Sequence, residues 1–323
     1  MRYGVTIPFE HLPGSALREQ LEEAGRLGIE EAWSYERNVF DAFTPLAAAA
    51  TAHPTMRLGT SIVPVFTRPP GLLAMSAAGL AELAPGRFVL GVGGSTETIV
   101  TGWMGVPFAK PLQRVRETIL TVRALLGGER VGKLTLYRPP ATPPPIYMAA
   151  LGERMLRLAG EIADGVAFFM ASAGSVPGLL RGTGRELDSV ARVIVLCGQD
   201  HAQNVAFARR FITGYAILPF YARFLESQGW GEAVRAIQRR WEAGDRAGAN
   251  QEVPEEMAES LMLIETDPRL TDRVREYERS GLGTLDLWFM SPAGTEAQRA
   301  ADTTRALHRL APRTPRPLSR EPV

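Results

Sequence analysis

Five side chains able to move protons or carry charge, Glu10, His11, Glu36, Arg37 and Glu97, each follow a segment that reads as a β-strand. A carboxyl group tuned by burial, or an imidazole, does acid–base work near neutral pH. Glu36 and Glu97, if they faced each other, would form the acid pair that glycoside hydrolysis requires. The competing reading for each is a salt bridge, for Glu36 with its neighbour Arg37, and for His11 a solvated loop position. The other strand ends are small, apolar or aromatic: Thr60-Ser61-Ile62-Val63-Pro64, Gly91-Val92-Gly93-Gly94-Ser95, Ala149-Ala150-Leu151-Gly152 and Phe168-Phe169-Met170. Glycines let a backbone come close to a ligand. Ala150-Leu151-Gly152 also opens a helix, whose free N–H groups suit an anion; a plain strand-to-helix turn is the alternative. Together these ends fit a flat aromatic ligand bearing a phosphate better than a carboxylate-dense hydrolytic site.

Other chemistries are disfavoured. The four histidines, His11, His53, His201 and His308, lack metal-ligand spacing, so no metal site is expected. The single cysteine, Cys197, excludes an intramolecular disulfide and reads as a buried thiol in the strand ARVIVLC. Lys and Arg number 36 against 35 Asp and Glu, a net charge of +1, which argues against a nucleic-acid partner. No apolar run nears the roughly 18 residues of a membrane span. MRYGVTIPFE reads as a strand and lacks the apolar core of a signal peptide. A cytoplasmic enzyme acting on a small molecule is the expectation.

The elements that must position these residues alternate. Strands are expected over 2–8, 30–36, 57–65, 87–93, 146–151, 165–171, 191–198 and 284–290. Helices are expected over 15–27, 45–52, 70–84, 111–127, 153–163, 176–189, 270–281 and 293–310. Leu17, Leu21, Ala24 and Leu27 show the helical spacing, and the continuous apolar run RFVLGVG reads as a strand covered on both faces. Eight such pairs predict an α/β fold, a closed (β/α)8 TIM barrel over 1–310 as a single domain. An open doubly wound sheet would place a glycine fingerprint after the first strand, where PFEHLPG stands instead. Residues 202–265 read as a helical insertion after strand seven, without a strand, and 311–323 as a disordered tail. Tyr215, Phe220, Tyr221, Phe224 and Trp230 are candidates for an apolar substrate wall, or for ordinary core. The small-residue stretch Ala47–Ala52 would permit a homodimer contact, or ordinary packing on the barrel.

The segment LGTSIVPVFTRPPGLLAMSAAGLAELAPGRFVLGVGGS (58–95) resembles the luciferase-like monooxygenase superfamily, and in particular its branch that uses the deazaflavin coenzyme F420. AWSYERN (32–38), GWMGVPFAKPLQRVRE (102–117), AALGERMLRLAGEIADGV (149–166) and RVREYERSGLGTLDLWFM (273–290) are similar too. The resemblance covers most of the chain and is weak over 172–265. It implies the same barrel, with the cofactor ring against a bulge in strand three and a cis bond matching Ser61–Ile62. It further implies ring contacts at Ser61, Ile62, Val63, Gly93 and Gly94, and a phosphate-bearing tail at Ala150, Leu151 and Gly152. Sugar- and alcohol-oxidising members carry a histidine just after strand two, where this chain reads Glu36-Arg37-Asn38. The chain is in that respect more similar to the methylenetetrahydromethanopterin reductase type. Glu36, Glu97 and His11 are then the candidates to relay a proton. The expected activity is hydride transfer between the deazaflavin C5 and a small organic molecule. One alternative is an FMN-dependent monooxygenase, which would use O2 and reduced FMN from a partner reductase. Another is a non-catalytic ligand-binding or accessory barrel.

Overall fold

The computed structural model describes residues 1–9, 14–38 and 40–312. Its strands are β1 (Arg2–Thr6), β2 (Glu31–Ser34), β3 (Arg57–Thr60), β4 (Val63–Pro64), β5 (Phe88–Gly93), β6 (Ile146–Ala149), β7 (Gly165–Phe169), β8 (Asp188–Leu196), β9 (Met262–Ile264) and β10 (Thr284–Met290). Eight strand positions, with β3 and β4 as the two halves of one, pair in parallel around a closed ring, and β10 closes it against both β8 and β1. This is the (β/α)8 barrel that the alternation predicts.

The helices are α1 (Leu17–Arg26), α2 (Phe43–Ala52), α3 (Pro70–Leu83), α4 (Pro111–Leu126), α5 (Glu153–Ile162), α6 (Val176–Gly182), α7 (His201–Ala216), α8 (Pro219–Leu225), α9 (Gly231–Glu242), α10 (Arg246–Gln251), α11 (Glu255–Leu261), α12 (Leu270–Arg279) and α13 (Glu296–Leu310). The barrel helices bury one stripe. In α1 that stripe is Leu17, Leu21 and Ala24, three and four residues apart. In α2, Ala49 and Ala50 are buried while Ala48 is exposed. No helix among the described residues is long and apolar enough to cross a membrane.

Two expectations are corrected. Strand three does not run unbroken over 57–65; it breaks after Thr60 at the Ser61–Ile62 peptide, which is cis, and resumes as β4. The insertion over 202–265 is not strand-free, because it ends in β9. The reason lies in β8. Its first residues, Asp188–Arg192, pair with β7, but the strand runs four residues further, to Leu196. Ile194–Leu196 would leave an open edge there, and Met262–Ile264 covers it in parallel register. Of the segment 311–323, residues 313–323 lie outside the described residues.

The barrel interior is layered. At the N-terminal ends of the strands, Glu31, only 1% exposed, accepts from Arg2 at 2.6 Å, from Arg57 at 2.9 Å and from Trp33 Nε1 at 2.8 Å. Asp188 takes the Nη2 of Arg2 and shares the Nη1 of Arg57 with Glu31; the Nη2 of Arg57 donates to the Tyr147 hydroxyl, which in turn donates to Asp188. Above this charged plug the Trp33 and Tyr147 rings pack 6.0 Å apart. The next layer joins Thr6, Arg192 and Asp286, and above it the barrel opens.

Candidate active site

The mouth at the C-terminal strand ends holds a cavity of about 790 Å3. That is enough space for a tricyclic ring and a second small molecule. One wall carries no charged or aromatic side chain: Ser61 and Ile62 from the break in strand three, Gly94 after β5, and Ala149, Ala150 and Leu151 at the end of β6.

Local sequence explains that wall. At the break, the chain presses onto β5. A Cβ on Gly91 would lie 1.8 Å from the Thr60 carbonyl oxygen, so only glycine fits. The Thr60 hydroxyl donates to the Gly91 carbonyl at 2.8 Å and accepts the Gly91 N–H at 2.7 Å. A Cβ on Gly93 would stand 2.8 Å from the Ala149 Cβ and 3.2 Å from Ile62 Cδ1. These two glycines therefore serve the contact between strands, and only Gly94 lines the cavity. On its other side the break is tied to the segment after β2, by Ser61 N–H to Ser34 O at 2.7 Å and Glu36 N–H to Ile62 O at 3.2 Å.

This wall ends beside the N-terminus of α5. Gly152 is the cap residue, in extended conformation, and no side chain caps the first turn. Its leading N–H groups thus lack partners within the helix and concentrate positive potential beside Leu151 and Met155, which line the cavity.

The opposite wall is aromatic. Tyr35, Phe169 and Trp288 come from the barrel, Tyr215 from α7, and Phe220 and Tyr221 from α8. Tyr35 and Trp288 lie 5.0 Å apart between ring centroids, Phe169 and Tyr215 5.4 Å, and Tyr215 and Tyr221 4.7 Å. Burial pushes the Tyr215 and Tyr221 hydroxyls above the usual phenol range, so both stay neutral. Of the aromatic candidates, Phe224 is buried in the core and Trp230 packs against it; neither reaches the cavity.

The carboxylates divide. Glu36 lines the cavity but is committed to Arg68, whose Nε stands 3.2 and 2.9 Å from its two oxygens. The partner of Glu36 is thus Arg68 and not its neighbour Arg37, which lies over the Trp103 ring, 5.7 Å from its centroid. Glu97 is exposed at the rim, where a π-helical segment, Thr98–Trp103, begins. His11 and Glu10 lie outside the described residues. Val63 and Gly93 sit in paired strands and Gly152 caps α5; none of the three lines the cavity. Cys197 is buried, with its thiol pushed up to about 12 by burial, which makes it inert.

The group that the sequence reading missed is Arg192, on β8. It is 6% exposed and reaches the cavity floor. Its Nε donates to Thr6 Oγ1 and Asp286 Oδ2, both at 3.1 Å. The only signal in the sequence is one arginine inside the apolar run VARVIVLC.

The fold and this mouth define a (β/α)8 barrel with one large cavity at the C-terminal strand ends, beside the uncapped N-terminus of α5. The luciferase-like monooxygenase model matches residues 1–284, and the chain belongs to that family. It is 30% identical over 294 residues to an F420-dependent glucose-6-phosphate dehydrogenase of Beutenbergia cavernae, covering 83% of this chain and 81% of the other. It is 27% identical over 291 residues to a 5,10-methylenetetrahydromethanopterin reductase of Archaeoglobus fulgidus, covering 82% and 84%. An F420-dependent secondary alcohol dehydrogenase, solved with an F420-acetone adduct, superposes with a TM-score of 0.70 at 17% identity, over 95% of this chain and 97% of the other.

Proposed function

We propose that this chain is a coenzyme F420-dependent oxidoreductase, transferring a hydride between the deazaflavin C5 and a small organic molecule. One observation carries the reading: a cavity wall without charged or aromatic side chains, Ser61, Ile62, Gly94 and Ala149 to Leu151, ends beside the uncapped N-terminus of α5. That combination offers a planar ring its face and a phosphate its N–H donors. The names of the relatives support the same cofactor.

Ser61, Ile62 and Gly94 would hold the ring, backed by Val63 and Gly93. Ala150, Leu151 and Gly152 would hold the phosphate-bearing tail. The reduced cofactor supplies the hydride, and the protein supplies orientation and exclusion of water. The aromatic wall would hold the substrate's apolar body against the ring. Among the described residues, Glu97 is a carboxylate at the rim without an ion-pair partner, and we assign to it the proton that accompanies the hydride. Glu36, bound to Arg68, would fix the loop after β2.

A second reading, an FMN-dependent monooxygenase fed by a partner reductase, is favoured by the family's own name. Parallel titrations of the purified protein with F420 and FMN, oxidised and reduced, separate the two. Micromolar or tighter F420 binding with weak FMN binding is the expected result. The reverse preference would make the chain a monooxygenase, and binding of neither would favour an accessory barrel.

A further inference from the structure

We propose that the inner half of the cavity takes a planar conjugated carbonyl compound, with its oxygen held by Arg192. This rests on the reading above, in which the cofactor ring covers the wall of Ser61, Ile62, Gly94 and Ala149 to Leu151 and leaves the aromatic half free.

The first argument is an unmet donor. Arg192 spends its Nε on Thr6 and Asp286, while its Nη2 is buried and has no hydrogen-bond partner among the described residues. Its guanidinium carbon lies 4.5 Å from the centre of the Tyr35 ring and 5.6 Å from that of Trp288. Both rings line the cavity. A buried cationic donor without an acceptor costs more than a neutral one; Nη2 has no open surface, so a ligand oxygen reaches it when the Tyr35 or Trp288 ring beside the guanidinium gives way, and then removes that cost.

The second argument is charge. Asp286 is fully buried against Arg192 and, once ionised, already balances it. A ligand carboxylate would add a second negative charge to a pair that needs none. A neutral carbonyl oxygen accepts the hydrogen bond without that excess. An amine finds no free carboxylate at this depth, because Glu36 is bound to Arg68.

The third argument is shape. Tyr35, Phe169, Tyr215, Tyr221 and Trp288 offer ring faces and edges, which favour a flat apolar body over a polyol.

The chemistry is consistent with the proposed cofactor. For an α,β-unsaturated ketone, a hydride from reduced deazaflavin forms a C–H bond at the β-carbon. The C=C π bond breaks, and its electron pair passes through the conjugated system to the oxygen as an enolate. Arg192 is placed to stabilise that developing charge. The α-carbon then takes the proton assigned above to Glu97, so that the ketone gains two electrons and two hydrogens and the deazaflavin loses the hydride.

The test is isothermal titration of the full chain, without cofactor and at mildly alkaline pH, with benzalacetone and with β-methylstyrene. The second ligand keeps the ring and double bond and lacks the carbonyl. The ketone is expected to bind about tenfold more tightly or better, the worth of a hydrogen bond to a charged group. In an Arg192→Met/Asp286→Asn double variant, which leaves no unpaired charge, that preference should vanish. Equal affinities in the unaltered protein, no measurable binding of either ligand, or a preference that persists in the folded double variant would each overturn the proposal. If the double variant does not fold, the two-ligand comparison on the unaltered protein decides alone. Failure of F420 to bind in the separate titration would sink the cofactor reading and leave the ketone preference standing, so the two failures are distinguishable.

Discussion

Glu36 and Glu97 both stand at the mouth, and their surroundings give them different work. Glu36 is half-buried with both oxygens on Arg68, which itself lies over the Phe43 ring at 4.9 Å. Glu97 is exposed, with its side chain in the cavity lining. Glu36→Gln should therefore loosen the loop after β2 and lower stability by about 1–3 kcal/mol, read by thermal unfolding. Glu97→Gln should leave stability and F420 affinity unchanged and lower turnover about a hundredfold, the low end for loss of a positioned acid. Unchanged turnover in Glu97→Gln would place the proton donor elsewhere. The sequence names both carboxylates as candidates but cannot tell them apart. The partner that decides is Arg68, 32 residues from Glu36 along the chain and brought beside it only by the barrel.

Most barrel elements are legible because their signals are local. Apolar periodicity marks α1, and the run RFVLGVG marks β5. Two features are not local. The break in strand three is set by contacts to β2 and β5, so 57–65 reads as one strand; the resemblance to known chains is what points to Ser61–Ile62. β9 has three residues and exists because β8 overruns β7, a fact of register that no window of sequence contains. The N-terminus of α5 is readable as a strand-to-helix turn, but whether a side chain caps it is a matter of structure. Gly152→Asp should place a negative charge where the cofactor's tail is proposed to lie. F420 affinity is expected to fall about three- to tenfold, the scale of a charge at a helix end. The site tolerates the side chain, since its Cβ would sit at an ordinary 3.5 Å from Phe220. Affinity that stays the same would move the tail away from α5. At the opposite end of the strands, Glu31→Gln deprives Arg2 and Arg57 of their shared buried acid. An expected loss of about 3–5 kcal/mol in urea unfolding follows from the cost of breaking a buried ion pair from one side.

Across the whole molecule, the Thr6–Arg192–Asp286 layer links β1, β8 and β10, the strands that close the barrel. Desolvation raises the Asp286 carboxyl to about 6, against the opposing pull of Arg192 and Thr6. In the unfolded chain the same group titrates near the ordinary carboxylate value, about 4. Between these values the folded protein holds a proton that the unfolded chain has released. The stability this confers is fully present below the unfolded value and is lost as pH rises through about 6. The contribution is of the order of 2–3 kcal/mol, from two pKa units at about 1.4 kcal/mol each. This slope runs opposite to that of Asp188, held below the usual carboxylate range by Arg2 and Tyr147 despite its burial. Asp188 contributes stability above the unfolded carboxylate value and loses it as the solution becomes more acidic. Asp286→Asn should remove the first slope and leave the second, so that between pH 4 and 6 the variant's stability falls less with rising pH than the parent's. Urea unfolding at closely spaced pH values reads this directly, as a difference in slope that survives any uniform loss from leaving Arg192 without its counter-ion. Parallel curves for parent and variant would mean that Asp286 remains ionised across the range, and that Arg192 outweighs the burial of its partner.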